Sequence, residues 1–372
     1  MASLADTHER ERHPDLPPPA ATVGAIGWMR RNLFSSWFNA LLTFASLYLV
    51  WLTVPPLLDW AIFDATLSGS TKQDCSGEGA CWVFIKVHLS QFIYGFYPED
   101  ERWRVNLTGI LFLLGAVPAL SDRVPGRKWA TLYLLFVFPL VAYALLVGGM
   151  FGLELVETPK WGGLMLTLVI SVIGITASLP LGILLALGRR SRLPVVRVLS
   201  VCFIEIWRGV PLISVLFMAS VMLPLFLPEG VTFDKLLRAL IAVALFSAAY
   251  MAEVVRGGLQ AVPRGQYEAA AALGLNYWKT MALIVLPQAL KMVIPGIVNT
   301  FIGGFKDTTL VSIIGLFDLL GRVHTASTNA LWLGLATEGY VFAGAVFWAF
   351  CFAMSRYSIH LERKLHAGQR RT

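Results

Sequence analysis

Charged residues are scarce in this chain of 372 residues: 14% are Asp, Glu, Lys or Arg, whereas 56% are hydrophobic. Such a composition excludes an ordinary soluble surface and indicates a protein that lies in lipid. The formal net charge of +7 does not indicate a nucleic-acid binder, because Lys and Arg lie in short loops between apolar runs rather than on one basic face. We therefore expect membrane lipid as a partner and no nucleic acid.

Cysteine is also scarce, with four residues. Cys202 and Cys351 lie within apolar runs, where a buried structural role is expected. Cys75 and Cys81 lie in one polar stretch that we place outside the cytoplasm, where a disulfide that closes a short loop can form and persist. Two free thiols are the alternative, since sequence spacing alone does not fix disulfide geometry.

Several functional signatures are absent from the sequence. Residues 1–36 carry acids, bases and three consecutive prolines before any apolar run, so we expect a disordered cytoplasmic tail rather than a cleavable signal. No GxxxxGK[ST] string occurs, so the sequence predicts no phosphate-binding P-loop in this chain. The His residues are isolated and no paired catalytic motif is present, which predicts neither a metal site nor catalytic residues.

Eight apolar runs are long enough to cross a bilayer, which requires about 20 residues. These runs lie at 37–63, 105–121, 130–150, 164–187, 198–227, 238–255, 287–305 and 339–359. The fifth contains Pro211 and Pro224 and is expected to be broken or kinked. Residues 309–321 are apolar but too short to span, which indicates a re-entrant or interfacial helix. The predicted fold is an all-α integral membrane protein with about eight transmembrane helices.

The distribution of basic residues predicts the orientation, because cytoplasmic loops are enriched in Lys and Arg. With the N-terminus inside, the cytoplasmic segments hold 20 of these residues and the outer connections hold 9. We therefore expect both termini to lie in the cytoplasm.

One motif occupies the predicted cytoplasmic connection between the sixth and seventh spans. A Glu-Ala-Ala triplet is followed after three residues by Gly, and after nine more by Ile, any residue, Leu and Pro. The motif residues are Glu268, Ala269, Ala270, Gly274, Ile284, Leu286 and Pro287. This spacing resembles the EAA signature of ABC importer permeases.

The residue types of this motif suggest its local structure. Glu268 is expected near the start of a helix, where a negative charge is favourable, and the alanines that follow are strong helix formers. Gly274 is expected to end that helix, because glycine tolerates the left-handed conformation. Leu286 and Pro287 are expected to start the return helix, since proline is accepted in a first turn.

Two further stretches resemble the polar amino acid subfamily of these permeases. Lys306-Asp307-Thr308-Thr309-Leu310 is similar to its Lys-Asp-Thr-Ser-Leu stretch, and Arg208-Gly-Val-Pro-Leu212 is similar to its Arg-Gly-Thr-Pro-Leu element. With its three-span extension, the chain most resembles the M-type permease of bacterial general L-amino acid transporters.

The resemblance implies the following organisation. A cytoplasmic tail (1–36) precedes a three-helix membrane extension (37–160) with a periplasmic loop (64–104). A five-helix type I ABC permease domain (161–361) and a basic cytoplasmic tail (362–372) follow.

The resemblance also implies the partners of this chain in the bacterial inner membrane. They are two ATP-binding subunits, a second related permease that forms a heterodimer with this chain, and a periplasmic amino acid binding protein. The residues from Glu268 to Gly274 would form the coupling helix against the ATPase. This chain would itself be no enzyme and would hold no cofactor, because the partner ATPase uses ATP and Mg.

Charged residues within the spans have two interpretations. Glu205 and Arg208, like Glu253 and Arg256, are three residues apart and share one helical face. They are expected to form buried ion pairs, and substrate contact is the alternative.

Lys306, Asp307, Thr308 and Thr309 are expected to form the outer gate or the substrate path, because charges at mid-membrane must line protein or water.

Two other functions are compatible with eight spans. A secondary transporter or channel for small polar solutes would need no ATPase, and the EAA motif disfavours it. A membrane-embedded enzyme would require paired catalytic residues, which the sequence does not show. The motif reports coupling to an ATPase and does not specify the cargo, so which amino acids are carried stays open.

Overall fold

A computed structural model describes residues 24–75, 77–121, 124, 126–228 and 233–367. These described residues are mostly helical and contain no β-strand. They divide into two compact bodies, one within residues 1–67 and 74–80 and the other comprising 68–73 and 81–372. The ends of the predicted tails, residues 1–23 and 368–372, lie outside the described residues.

The first body contains two helices, α1 (Gly24–Asn32) and α2 (Trp37–Phe63). The expectation of a disordered tail was wrong for α1. Ser36 caps α2, and its hydroxyl accepts a hydrogen bond from the Asn39 amide at 3.2 Å. The segment Trp37–Leu58 buries none of its side chains, and its apolar composition is that of a membrane-spanning helix.

The second body contains the remaining helices. They are α3 (Val83–Tyr94), α4 (Arg102–Leu120), α5 (Arg127–Val147), α6 (Gly163–Arg189), α7 (Pro194–Gly209), α8 (Leu212–Phe226), α9 (Lys235–Ala261), α10 (Arg264–Ala272), α11 (Tyr277–Met292), α12 (Ile294–Asp307), α13 (Leu319–Ser327) and α14 (Ala336–Ala367). Six helices of the described chain are long and apolar enough to span a membrane, or eight if each of two bent pairs counts as one span. The all-α fold with about eight spans is confirmed.

The two bent spans each contain proline at the break. Helices α7 and α8 meet at 103°, which confirms the predicted break in the fifth span, and Pro211 caps the start of α8. Helix α11 and the segment Ile294–Ile314 meet at 65°, and Pro295 occupies the first turn after the break. Proline is accepted there because a first-turn amide has no partner within its helix.

Residues 309–321 do not form the predicted single helix. The segment Thr308–Ile314 continues α12 as a 3-10 turn, and Gly315 ends it in the left-handed conformation with φ +76°. A new helix, α13, begins only at Leu319, and the Asp318 side chain caps it by accepting a hydrogen bond from the Gly321 amide at 2.9 Å. Sequence analysis missed this turn because it treated residues 309–321 as one apolar segment, although Gly315 and Asp318 are residue types that end and cap helices.

The Asp318 cap predicts a pH-dependent stability. Burial, opposed by backbone hydrogen bonds, raises the pKa of its carboxyl from 3.8 to about 6. The stability that this group contributes is therefore complete below about pH 4 and is lost as the pH rises through 6. A pKa difference of two units between the folded and unfolded states corresponds to about 3 kcal/mol of stability lost at high pH. Burying a neutral Asn side chain also costs free energy, so the substitution recovers only part of this amount. We expect Asp318→Asn, which keeps the cap acceptor, to raise the free energy of unfolding by about 2 kcal/mol at pH 8.

Thermal unfolding between pH 4 and pH 8 would check this expectation. The matched control is Asp234→Asn, because Asp234 caps α9 in the same way but is exposed. Its effect should stay below about 0.5 kcal/mol at every pH. A gain from Asp318→Asn that does not change with pH would contradict the prediction.

The centre of the second body is the contact between α6 and α9. Both helices present small residues there: Gly182 lies so close that a Cβ on it would stand 2.7 Å from the Met251 Cβ, and Ala248 and Ala252 are fully buried. Small residues let helix backbones approach closely in a membrane, where van der Waals packing drives association.

Helix α3 is fixed to the start of α6 by contact between glycine backbones. A Cβ on Gly95 would stand 2.5 Å from the Gly162 Cα, and a Cβ on Gly163 would stand 2.3 Å from the Phe92 carbonyl oxygen. The buried guanidinium of Arg322 lies 3.9 Å from the centre of the Phe96 ring beside this contact. Residues 81–160 thus belong to the same body as the five C-terminal spans.

Candidate functional site

The connection between α9 and α11 carries the short helix α10, which contains the Glu-Ala-Ala triplet. Pro263 is extended and precedes the first turn, so the helix begins at Arg264. Glu268 is consequently the fifth residue of α10, and its expected place at the helix start was wrong. The Pro263 backbone, rather than the acidic residue, sets the start of the helix.

The other end of α10 follows the prediction for Gly274. Its φ is +70°, and its amide donates to the Ala271 carbonyl at 2.9 Å. The Leu275 amide donates to the Ala270 carbonyl at 3.1 Å. These two hydrogen bonds form a Schellman motif, which satisfies the last carbonyls of a helix through one left-handed residue.

The prediction for Leu286 and Pro287 was wrong. Helix α11 begins at Tyr277, where the Asn276 side chain accepts a hydrogen bond from the Lys279 amide at 2.9 Å. A π-helical turn, Met281–Val285, directly precedes Leu286 and Pro287. The wider turn accommodates a proline that lies within a helix and has no amide hydrogen to donate.

One face of α10 is attached to the spans. Tyr267 is half-buried against the apolar cluster of α9 and α11, and its hydroxyl accepts a hydrogen bond from Arg190 at 3.1 Å. The side-chain amide nitrogen of Gln288 on α11 donates to the side-chain oxygen of Gln266 at 3.1 Å, and Ala270 is buried. Contacts with α6, α9 and α11 therefore hold the helix in place.

The opposite face of α10 is exposed. Glu268, Ala269 and Ala271 lie on it, and Leu273 at its end is 76% exposed. Trp278, on the first turn of α11, is 71% exposed. A small-residue surface with exposed apolar side chains beside it is suited to a protein partner.

The charged residues of the spans meet in a cluster around Glu253. Arg256 pairs with it at 2.7 Å, Arg189 at 2.6 Å and Arg208 at 3.8 Å. Arg189 also pairs with Glu205 at 3.0 Å. The cluster joins the ends of α6, α7 and α9.

The expected pair of Glu253 and Arg256 is present, whereas the expected pair of Glu205 and Arg208 needs correction. Glu205 pairs with Arg189 of α6 rather than with Arg208 of its own helix, because Arg208 points to Glu253 instead. The Glu205 side chain is 54% exposed, whereas that of Glu253 is 16% exposed. Arg189 lies outside the predicted span 164–187, and sequence analysis missed its part in the cluster, since its partners lie 16 and 64 residues away.

The residues expected at the gate lie together where α12 ends. Thr308 is fully buried, and its hydroxyl donates to the Phe305 carbonyl at 2.9 Å. The Thr309 hydroxyl donates to the Lys306 carbonyl at 2.9 Å. Both threonines therefore support the helix end, whereas Lys306 is exposed and Asp307 half-buried.

Cys75 and Cys81 are disulfide-bonded in the structure, whereas Cys202 and Cys351 are free thiols. Cys202 is exposed on α7 and Cys351 is partly buried, so the burial expected for these two was wrong for Cys202.

The architecture has a match among known families. Residues 178–367 match the family described as "Binding-protein-dependent transport system inner membrane component". The inner membrane amino-acid ABC transporter permease protein YhdY of Escherichia coli (strain K12) is 56% identical over 96% of this chain and 97% of that protein. The chain is an ABC transporter permease. It is accordingly a multi-pass membrane protein and a transport subunit.

Two further relatives show how far the likeness extends. The glutamate/glutamine/aspartate/asparagine transport system permease protein BztC of Rhodobacter capsulatus is 42% identical over 95% of this chain and 96% of its own length. The glutamate/aspartate import permease protein GltK of Escherichia coli O6:H1 is 33% identical over 91% of its own length but only 54% of this chain. The likeness to GltK therefore extends over about half of this chain, whereas that to YhdY and BztC extends over nearly all of it.

Proposed function

We propose that this permease imports L-amino acids and that α10 couples its movement to ATP hydrolysis by a partner subunit. The exposed face of α10 is the single observation that supports coupling most. That face ends in Leu273, and the attached face contacts three spans through Tyr267, Gln266 and Ala270. Movement of a partner subunit bound to the exposed face of α10 would therefore be transmitted directly to the spans.

The proposed complex contains this chain, a related second permease, two ATP-binding subunits that use ATP and Mg, and a periplasmic binding protein. Both termini would lie in the cytoplasm, in agreement with the distribution of Lys and Arg. The names of the relatives support amino acids as cargo. Polar or broad specificity is our proposal, and this chain itself would hold no cofactor.

Within this scheme the Glu253 cluster would transmit movement between spans. It joins three helix ends next to the attachment of α10, so a shift of one helix changes the ion pairs of the others. Lys306 and Asp307 would serve at the outer gate or the substrate path, with Thr308 and Thr309 holding the helix end on which they lie.

Purification of the complex in mild detergent would test the proposal. We expect mass spectrometry to identify an ATPase and a second permease with this chain, and L-amino acids with the binding protein to stimulate ATP hydrolysis. Uptake by proteoliposomes that contain this chain alone, without ATP, would instead support a secondary transporter or channel.

The end of α10 gives a specific prediction for coupling. Gly274 adopts φ +70° with open space around it, so Gly274→Ala adds strain to the backbone without a steric clash. A left-handed alanine costs about 1 kcal/mol, which should loosen the Schellman motif and reorient Leu273 and Leu275. We expect the variant to assemble normally and to lose at least half of its substrate-stimulated ATPase activity.

The matched control for this prediction is Gly265→Ala, at the other end of the same helix. Gly265 also has open space around it, and its φ is not positive, so alanine there should favour the helix slightly. Equal activity of the two variants would show that the left-handed end of α10 is irrelevant to coupling.

A further inference from the structure

A cavity of about 490 Å³ opens between the ends of α6, α7 and α9. It is lined by Arg189, Arg190, Arg197, Val201, Arg256 and Gln260. Four of these six residues are arginines, each with a positively charged guanidinium group. The Glu253 cluster accounts for Arg189 and Arg256 but leaves the other two unexplained.

The carboxylates near the cavity do not balance its positive charge. Glu205 and Glu253 pair with Arg189, and Glu253 also pairs with Arg256. Arg190 donates only to neutral oxygens, the Leu259 carbonyl and the Tyr267 hydroxyl, each at 3.1 Å.

Arg197 carries the second unbalanced charge. It is exposed, and its guanidinium makes no ion pair or hydrogen bond within the part of the chain that the structure describes. The cavity therefore presents two guanidinium groups without a carboxylate partner, and an anion is the complementary ligand.

We propose that this cavity binds a phosphate group. Guanidinium is planar and donates two parallel hydrogen bonds to phosphate oxygens, which a set of lysines could not do with the same geometry. Gln260 accepts a hydrogen bond from Arg256 through Oε1 at 2.8 Å, which leaves its amide nitrogen as a further donor. The volume is sufficient for a phosphate that carries a small organic group.

The surface beside the cavity identifies an anionic phospholipid as the source of the phosphate. Helix α7 exposes Val195, Val198 and Leu199 to 69%, 58% and 65%, in the same turns as Arg197 and Val201. This apolar strip suits acyl chains, and basic pockets between spans bind anionic headgroups of the cytoplasmic leaflet. The assignment to that leaflet rests on the orientation in the proposed function.

A phosphate in this cavity would lie next to the attachment of α10. Arg190 stacks over the Tyr267 ring with its guanidinium carbon 5.6 Å from the ring centre. A phosphate bound to Arg190 would fix the position of its guanidinium and therefore of Tyr267. A bound lipid would thus reduce the movement of α10 relative to the spans.

Lipid retention by the complete importer tests this inference. The complex is purified from membranes into nanodiscs with equal phosphatidylglycerol and phosphatidylcholine, released into detergent, and its bound lipid is counted by native mass spectrometry. We expect Arg197→Gln to reduce retained phosphatidylglycerol about tenfold, as the loss of one charge-assisted hydrogen-bonding group predicts. Arg197→Lys keeps the positive charge but loses the two parallel N–H donors of the guanidinium, so this variant should retain an intermediate amount of phosphatidylglycerol.

The matched control is Arg192→Gln, which removes an exposed arginine of the loop before α7 that does not line the cavity. It should retain phosphatidylglycerol like the unaltered complex. Equal retention in all variants, or equal loss in both glutamine variants, would overturn the inference. Labelling of an ATP-binding subunit instead of lipid by a photo-crosslinker at position 197 would also overturn it.

A second arm distinguishes the sources of the phosphate. Inorganic phosphate is added to complexes in phosphatidylcholine nanodiscs, and thermal stability is measured. Stabilisation by millimolar phosphate that Arg197→Gln abolishes would assign the site to free phosphate, whereas stabilisation by phosphatidylglycerol alone would assign it to lipid. Neither arm depends on transport, so failure here is distinguishable from the absence of an ATPase in the purified complex.

Discussion

Gly163→Ala is expected to reduce the free energy of unfolding by about 4 kcal/mol. Gly163 has φ +63°, which costs an alanine about 1 to 2 kcal/mol. Its new Cβ would also stand 2.3 Å from the Phe92 carbonyl oxygen and 2.7 Å from the carbonyl carbon. Both atoms belong to the backbone of α3, so the clash can be relieved only by moving a helix.

Thermal unfolding of the purified complex and the amount of folded protein in membranes would measure this effect. The control is Gly109→Ala on α4, where no atom lies within 4 Å of the new Cβ and φ is not positive. It should leave the melting temperature unchanged or raise it slightly. A stable Gly163→Ala protein would mean that α3 does not pack closely against α6.

Glu253→Gln is expected to cost about 3 kcal/mol and to abolish uptake. The substitution removes the only carboxylate shared by Arg189, Arg208 and Arg256 within the described residues. Their like charges would then repel at the ends of α6, α7 and α9. Glu253 is only 16% exposed, so water compensates for its loss poorly.

The control for this substitution is Glu205→Gln. Glu205 is 54% exposed and pairs with Arg189 alone, so its loss should cost less than about 1 kcal/mol. The melting temperatures of the two variants, measured in the same detergent, give the comparison. Equal destabilisation would show that Glu253 does not organise the cluster.

The number of spans and the end of α10 could be predicted from sequence because each depends on local properties. Twenty apolar residues in a row define a span whatever surrounds them, and Gly274 ends its helix through its own φ. The start of α11 was placed ten residues too late because Pro287 resembles a helix start. Only the π-helical turn that precedes Pro287 in the structure shows that this proline lies within the helix.

The charge cluster could be predicted only in part, because most of its contacts join different helices. Glu253 and Arg256 share a helix turn, and their pair follows from spacing. The contacts of Arg189 and Arg190 depend on how α6, α7 and α9 cross, which helical periodicity does not specify. The cavity with unbalanced arginines arises from the same crossing and has no signature in the sequence.

The close approach of Gly163 to α3 has a consequence for permeases without a helix at this place. Where α3 is missing, no Phe92 carbonyl lies against the first residue of α6, so this steric reason for glycine disappears. We therefore expect such permeases to accept larger side chains at the position equivalent to Gly163. The position equivalent to Gly162 should stay small in both groups, because a Cβ there would stand 2.5 Å from the Arg322 side chain, which does not belong to α3.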